Sequence, residues 1–164
     1  IWITHLYKCK YLFNIKMSLE NYRIRELQSG DYNKDYLGLL KQHYTLSDIS
    51  QDFFDKQLNN VRTKTNHHIR VVEEISTSKI VATGSVYIEF KFAYNLGKVG
   101  YIDDIVVDID NRNKGIGHML LTHLKKLALA NGCVYINVIA SESNEKFLLK
   151  AGFNKDKNHY SLKL

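Results

Sequence analysis

Between residues 22 and 27 apolar and polar side chains alternate, the period of a strand with one buried face, and Ser29-Gly30-Asp31 follows as a turn and helix cap. Tyr36, Leu39 and Leu40 share one side of a helix predicted over 32–43. A second helix is predicted after Ser50, over 51–61, with Phe53, Phe54, Gln57, Leu58 and Val61 near helical spacing. The middle of the chain returns to period two. Strands are predicted over 69–75, 79–90 and 101–108, separated by the turn formers Ser76-Thr77-Ser78 and Asn95-Leu96-Gly97, and such short connections predict an antiparallel meander. The period then changes to 3.6: Ile116, Met119, Leu120, Leu124, Leu127 and Ala128 line one helical face, and Asn131-Gly132 ends the helix. A buried strand is predicted over 134–140, a short helix over 144–150, a turn at Ala151-Gly152 and a last strand over 159–164.

Composition narrows what this pattern can be. The chain has 164 residues, 45% of them hydrophobic, which supports one core and one domain. Its formal net charge is +6, yet no basic run is long enough for a nucleic-acid tail, so a polyanionic small ligand is the expected partner, with neither nucleic acid nor membrane. Two cysteines, Cys9 and Cys133, give no disulfide framework and fit a cytoplasmic protein. Residues 1–16 are interrupted by His5, Lys8 and Lys10 and so form no apolar span. Met17-Ser18 looks like an initiation site, so 1–16 is read as upstream extension and 17–164 as the domain. No metal is expected. His118 and His123 are five apart on one helix, on different faces, without a cysteine pair, while His67-His68 reads as a solvated loop and Cys133 as a space-filler at a strand start.

The segment that carries chemistry is Asp103-Asp104-Ile105-Val106-Val107-Asp108, then Arg112-Asn113-Lys114-Gly115-Ile116-Gly117 leading into a helix. A glycine-bearing loop at a helix start offers unpaired N–H groups and partial positive charge, a site for phosphate or pyrophosphate. Gly115 and Gly117 would let the anion approach the backbone, and Arg112 and Lys114 add charge. The spacing is neither that of a P-loop nor that of the dinucleotide fingerprint.

Arg112-x-x-Gly115-x-Gly117, after an apolar strand and before an amphipathic helix, resembles the coenzyme A pyrophosphate loop of the GNAT-type N-acetyltransferases. The resemblance implies an α/β fold with a mixed, mostly antiparallel central sheet flanked by helices, and acetyl-CoA as co-substrate. It implies that Ile105, Val106, Val107 and the loop through Ile116 and His118 bind the coenzyme. Asn144 to Phe153 resembles the late helix and turn beside the pantetheine, which adds Asn144, Phe147 and Lys150. Within this superfamily, Ile80-Val81-Ala82-Thr83-Gly84, Ile88-Glu89-Phe90-Lys91-Phe92-Ala93-Tyr94 and Gly100-Tyr101-Ile102-Asp103-Asp104 resemble the glucosamine 6-phosphate N-acetyltransferases in length and order.

That narrower resemblance implies an acceptor set of Thr45, Lys91, Phe92, Ala93, Tyr94, Asp103, Asp104 and Lys163, with Lys91 and Lys163 as phosphate cations. Backbone groups of Asp104 and Ile105 would align the acetyl carbonyl and hold the oxyanion. Asp103 and Asp104, as adjacent strand positions, are expected on opposite faces and so form no close dyad. The chain departs from the family at Tyr94, where histidine is usual, at Lys163, where arginine is usual, at Ile139, where an acidic residue is usual, and at Leu148, where a tyrosine serves as proton donor to the thiolate. Tyr160 is the replacement donor considered. The family implies a homodimer, direct transfer in a ternary complex, and a product that feeds UDP-N-acetylglucosamine synthesis. Rival expectations are a GNAT-type enzyme for another amine and a weakly catalytic acyl-CoA sensor.

Overall fold

The alternating segments between residues 22 and 108 become an antiparallel meander. The computed structural model describes residues 20–155. Strands β1 (Tyr22–Glu26), β2 (His67–Glu74), β3 (Ile80–Phe90), β4 (Lys98–Val107) and β5 (Cys133–Val138) lie in sequence order in one sheet. Neighbours are antiparallel except β4 and β5, which run parallel. Helices α1 (Tyr36–Lys41) and α2 (Gln51–Arg62) join β1 to β2, α3 (Ile116–Ala130) joins β4 to β5, and α4 (Glu145–Lys150) follows β5.

Both faces of the sheet are covered, so the central strands are apolar on both sides. On one face Val72, Ala82, Val86, Ile88 and Ile102 pack against Ile116, Leu120, Leu121, Leu124 and Ala128 of α3. On the other, Val71, Ile80 and Val106 pack against Tyr36 and Leu39 of α1 and Phe54 and Leu58 of α2. The period-3.6 face of α3 is therefore the core face, with Leu121 added to the positions expected.

Several expectations change. The helix predicted over 32–43 is broken at Asp35, whose φ of 63° separates a 3₁₀ turn (Ser29–Lys34) from α1. Phe53 lies on the solvent side of α2. His67 and His68 belong to β2, paired with Tyr87 and Val86, and burial lowers the pKa of both; they are not a solvated loop. β5 is not a buried strand: it borders the described sheet, and Val134 is 62% exposed and Tyr135 48% exposed. Cys133 is buried at its start, as expected. Gly132 and Gly152 take φ of 81° and 87° at the turns predicted there. Residues 1–16 and the strand predicted over 159–164 lie outside the described residues.

The α1 side is fastened by a buried ion network. Glu73, 2% exposed, accepts from Arg23, Arg25 and Lys34, each at 2.8 Å, and Arg25 also grips Asp31 at 2.6 and 2.7 Å. The Arg25 hydrogen bond, reinforced by Arg23 and Lys34 against the cost of burial, holds the Glu73 carboxyl far below its ordinary 4.5. A depressed carboxylate contributes stability that is complete above the unfolded value and is lost as pH falls through the folded one. Glu73→Gln should therefore cost about 3 kcal/mol near neutral pH. In urea melts the gap between variant and wild type should narrow steadily below about pH 4.5, the value of a free glutamate; a gap independent of pH would count against this account.

Candidate active site

Strand β4 is paired on its β5 side only from Lys98, opposite Cys133, to Ile102, opposite Val138. Beyond that point no pairing joins the two parallel strands, and residues 103–107 present an unpaired edge, the candidate cleft of this site, while still pairing with β3 on the other side. A bulge marks the same place. Thr83 faces Val106 and Ser85 faces Asp103, so Gly84 alone stands opposite Asp104 and Ile105. Gly84 is closely packed there: a Cβ would lie 3.1 Å from Leu124 Cδ1 and 3.3 Å from Ile105 Cγ1, so those side chains would have to give by a few tenths of an ångström.

The bulge corrects the expected alternation of the acidic pair. Asp104 has a φ of 53°, and both Asp103 and Asp104 are exposed at the mouth of the cleft. The Asp104 N–H donates to Asp103 Oδ1 at 2.8 Å, so the amide expected to align the acetyl carbonyl already has an acceptor in this state. Tyr44, which sequence reasoning passed over for the neighbouring Thr45, reaches this point: its hydroxyl donates to Asp104 Oδ1 at 2.8 Å. Thr45 is exposed in the same loop. Only a contact spanning sixty residues reveals Tyr44, and no local spacing could have signalled it.

Past the cleft, Arg112 Nε returns to the Val107 carbonyl at 3.1 Å and starts the loop before α3. Asn113 and Gly115 take left-handed φ of 62° and 86°. The first α3 amide to bond backward is Met119, to Gly115 O at 3.0 Å. Among the described residues, the N–H groups of 113–118 have no acceptor, the arrangement that receives an anion at a helix start. Lys114 and His118 are exposed beside them, while Ile116 is buried as the anchor of the helix.

Beneath the loop lies a polar anchor that the sequence did not disclose. Buried Asp108 accepts from Gln42 Nε2 at 2.6 Å and from Asn111 Nδ2 at 2.8 Å. Asn111 Oδ1 accepts in turn from Tyr22 and from Lys114 Nζ. Burial alone would raise the Asp108 pKa, but the Gln42 and Asn111 hydrogen bonds overcome it and the net shift is downward.

The late helix lies over this loop. The Phe147 ring is 3.7 Å from where a Gly117 Cβ would be, and Leu148 packs into the α3 core. Asn144 and Lys150 are exposed at the two ends of α4, and Ile139 is exposed just past β5. The remaining expected acceptor residues gather at the β3–β4 connection. Lys91 pairs with Glu89 and sits 5.5 Å from the centre of the Tyr101 ring. Tyr94 stacks on Tyr135 with centroids 5.6 Å apart, and Phe92, beside Ala93, is 95% exposed. Tyr160 and Lys163 lie outside the described residues. Along β4, Lys91 is thus near Tyr101, the acidic pair is at the cleft mouth, and the anion loop begins beyond Val107.

Residues 22–153 match the model of the Acetyltransferase (GNAT) family. The chain belongs to this family. It is 35% identical to the glucosamine 6-phosphate N-acetyltransferase of Arabidopsis thaliana, over 82% of this chain and 91% of that one. It is 33% identical to glucosamine 6-phosphate N-acetyltransferase 1 of Dictyostelium discoideum, over 80% and 83%. The crystal structure of the Arabidopsis thaliana enzyme superposes with a TM-score of 0.84 at 34% identity, covering 87% of this chain and 97% of that one. GNAT acetyltransferases take acetyl-CoA as co-substrate, and the free amides of this GNAT chain's helix start suit a pyrophosphate.

Gly115 is the position where that fit is most easily broken. A β-branched side chain at φ 86° carries a backbone penalty of roughly 1–2 kcal/mol and crowds the amides that would meet the anion. Gly115→Val should raise the KM for acetyl-CoA and weaken CoA binding in calorimetry, while the KM of the acceptor changes little; equal effects on both substrates would remove the loop from the coenzyme site.

Proposed function

We propose that this chain transfers the acetyl group of acetyl-CoA to the amine of D-glucosamine 6-phosphate, giving N-acetyl-D-glucosamine 6-phosphate and CoA for UDP-N-acetylglucosamine synthesis. The observation that carries this is the similarity, at 30% identity or more over most of both chains, to several enzymes named for that reaction. The geometry is compatible: the unpaired β4 edge has the acidic pair at its start and the glycine loop before α3 beyond its end, with Lys91 near Tyr101 on the paired part of β4.

Both substrates bind before reaction. The amine attacks the thioester carbonyl carbon, the C–N bond forms, the C–S bond breaks, and CoA leaves as a thiolate. The thioester is already activated, so holding the two reactants in line supplies much of the acceleration. Backbone donors at Asp104 and Ile105 would stabilise the oxyanion once the Asp104 amide exchanges Asp103 for the acetyl oxygen. Residues 112–118 with Asn144, Phe147 and Lys150 would hold the coenzyme. Thr45, Lys91, Phe92, Ala93, Tyr94, Asp103 and Lys163 would hold the sugar phosphate.

A homodimer is part of the same proposal, supported by the exposed Phe90, Phe92, Tyr94 and Leu96 beside exposed Val134 and Tyr135. Among the described residues no helix is long and apolar enough to cross a membrane, and a cytoplasmic site is proposed from the cysteine usage. The second reading, a GNAT-type enzyme for another amine, is favoured by Leu148, Ile139 and Tyr94, which stand where the resemblance implies a tyrosine, an acidic residue and a histidine.

Thiol release decides between the acceptors. Glucosamine 6-phosphate should be used well and glucosamine poorly, and added salt should raise the KM for the phosphosugar because ion pairing is screened. Lys91→Ala and Lys163→Ala should each raise that KM, by up to about tenfold, and leave the KM for acetyl-CoA unchanged. Equal use of glucosamine and its 6-phosphate would reject the phosphate pocket. For the thiolate, Tyr160→Phe should cost only a small part of the about 10²–10⁴-fold that a general acid can supply, with water as the donor; a loss in that full range would make Tyr160 the acid.

A further inference from the structure

The Tyr44–Asp104 contact ties the loop after α1 to the bulge of β4, at the point where β4 has just lost β5. Asp104 is held there with a φ of 53°, a backbone state that a non-glycine residue keeps only when its surroundings enforce it and that is frequent at functional sites. Of its two carboxylate oxygens, Oδ1 takes the Tyr44 hydroxyl, and Oδ2 has no partner among the described residues. Asp103 spends Oδ1 on the Asp104 amide. Leu148 and Ile139 carry no titratable group, and among the described residues Asp103 and Asp104 are the carboxylates on the unpaired stretch of β4.

Tyr44 is suited to hold rather than to give. Burial first, then the hydrogen bond to Asp104 and the charges of Asp104 and Asp103, push its phenol well above the ordinary value, so the O–H persists as a donor throughout the neutral range. Tyr36 of α1 and His67 of β2 are the other titratable groups on which the Asp104 charge acts.

We propose that Tyr44 is a positioning residue for acetyl transfer, fixing Asp104 Oδ1 so that Oδ2 faces the acceptor nitrogen and takes the proton which that nitrogen loses. As the amine attacks, the C–N bond forms and its nitrogen becomes positively charged. A proton passes from that nitrogen to Asp104 Oδ2, the C–S bond breaks, the thiolate takes a proton from water, and Asp104 returns its own to solvent. The proposal rests on the acetyl-transfer reading above.

Tyr44→Phe keeps the ring, which meets the His43 ring edge-on at 4.9 Å, and removes only the hydroxyl. At saturating substrates kcat should fall about tenfold, part of what a well-placed general base supplies. Melting temperature and the KM for acetyl-CoA should stay near wild type. Asp104→Asn should lower kcat about a hundredfold, and adding Tyr44→Phe to Asp104→Asn should change nothing further, because the hydroxyl acts through the carboxylate. An unchanged kcat in Tyr44→Phe would overturn the proposal, as would a rise in the KM for acetyl-CoA in place of a fall in kcat, additive losses in the double variant, or a fall in melting temperature that accounts for the loss. If the wild type fails to acetylate glucosamine 6-phosphate, the acceptor assignment is what fails, and the same variants are then compared on the amine that is turned over, where Tyr44 stands or falls separately.

Discussion

Two parallel strands remain paired only while both keep the twist and register of the ladder, and β4 and β5 part after Ile102 and Val138. The separation leaves the backbone of 103–107 unpaired on one side in the middle of a folded sheet, where an exposed strand edge normally invites a partner. The Gly84 bulge accompanies it, because two residues of β4 must fit against one of β3, and the absence of a side chain lets Leu124 and Ile105 close over the gap. A substrate that supplies strand-like hydrogen bonds can use that edge; the cleft, the acidic pair at its mouth and the loop beyond all follow from the same parting.

An open edge needs fixed ends, and the two ends are fixed by different means. At the far end, neutral amides and one buried carboxylate hold the loop, from Gln42 through Asp108 and Asn111 to Tyr22 and Lys114. The loop's amides are thereby left without acceptors, and its cations bond to neutral oxygens, Arg112 to the Val107 carbonyl and Lys114 to Asn111. On the α1 side, Glu73 gathers Arg23, Arg25 and Lys34, and Arg25 reaches Asp31 in the 3₁₀ turn that leads into α1. That turn sets the direction of α1 and of the loop bearing Tyr44. The charged network therefore acts at a distance from the chemistry, through the element it orients.

Patterning made the meander and α3 legible because both elements bury one continuous face, which writes a period into the sequence. Features that depend on a single backbone state or on residues far apart left no such trace. Asp35 breaks the first helix through one left-handed residue, and Asp104 escapes the alternation through another. β5 reads as buried because Val134, Tyr135 and Ile136 are apolar, yet apolar composition reports what a strand can cover and not whether a neighbour covers it. His67 and His68 open β2, which begins two residues before its apolar run at Ile69. The glycine loop before α3 is legible as a helix start because its glycines and cations are contiguous. Tyr44 and Gln42 were not, since each acts by crossing to β4 or to the turn that follows it.

Lys91, proposed above as a phosphate cation, is occupied without being unavailable. Its ammonium is paired with Glu89, two residues away, and that pair raises the lysine pKa while lowering that of the carboxyl. An ion pair at the surface is weak, because water screens the attraction and two long side chains must be held in one geometry. A phosphate brings more charge and several acceptor oxygens, so it competes well for the same ammonium. Glu89 would then keep the lysine charged and parked near the Tyr101 ring until the anion arrives, and would return to solvent when displaced. The same logic applies at Asp104, whose amide rests on Asp103: in both places an internal partner holds a group in position that a substrate oxygen can take over.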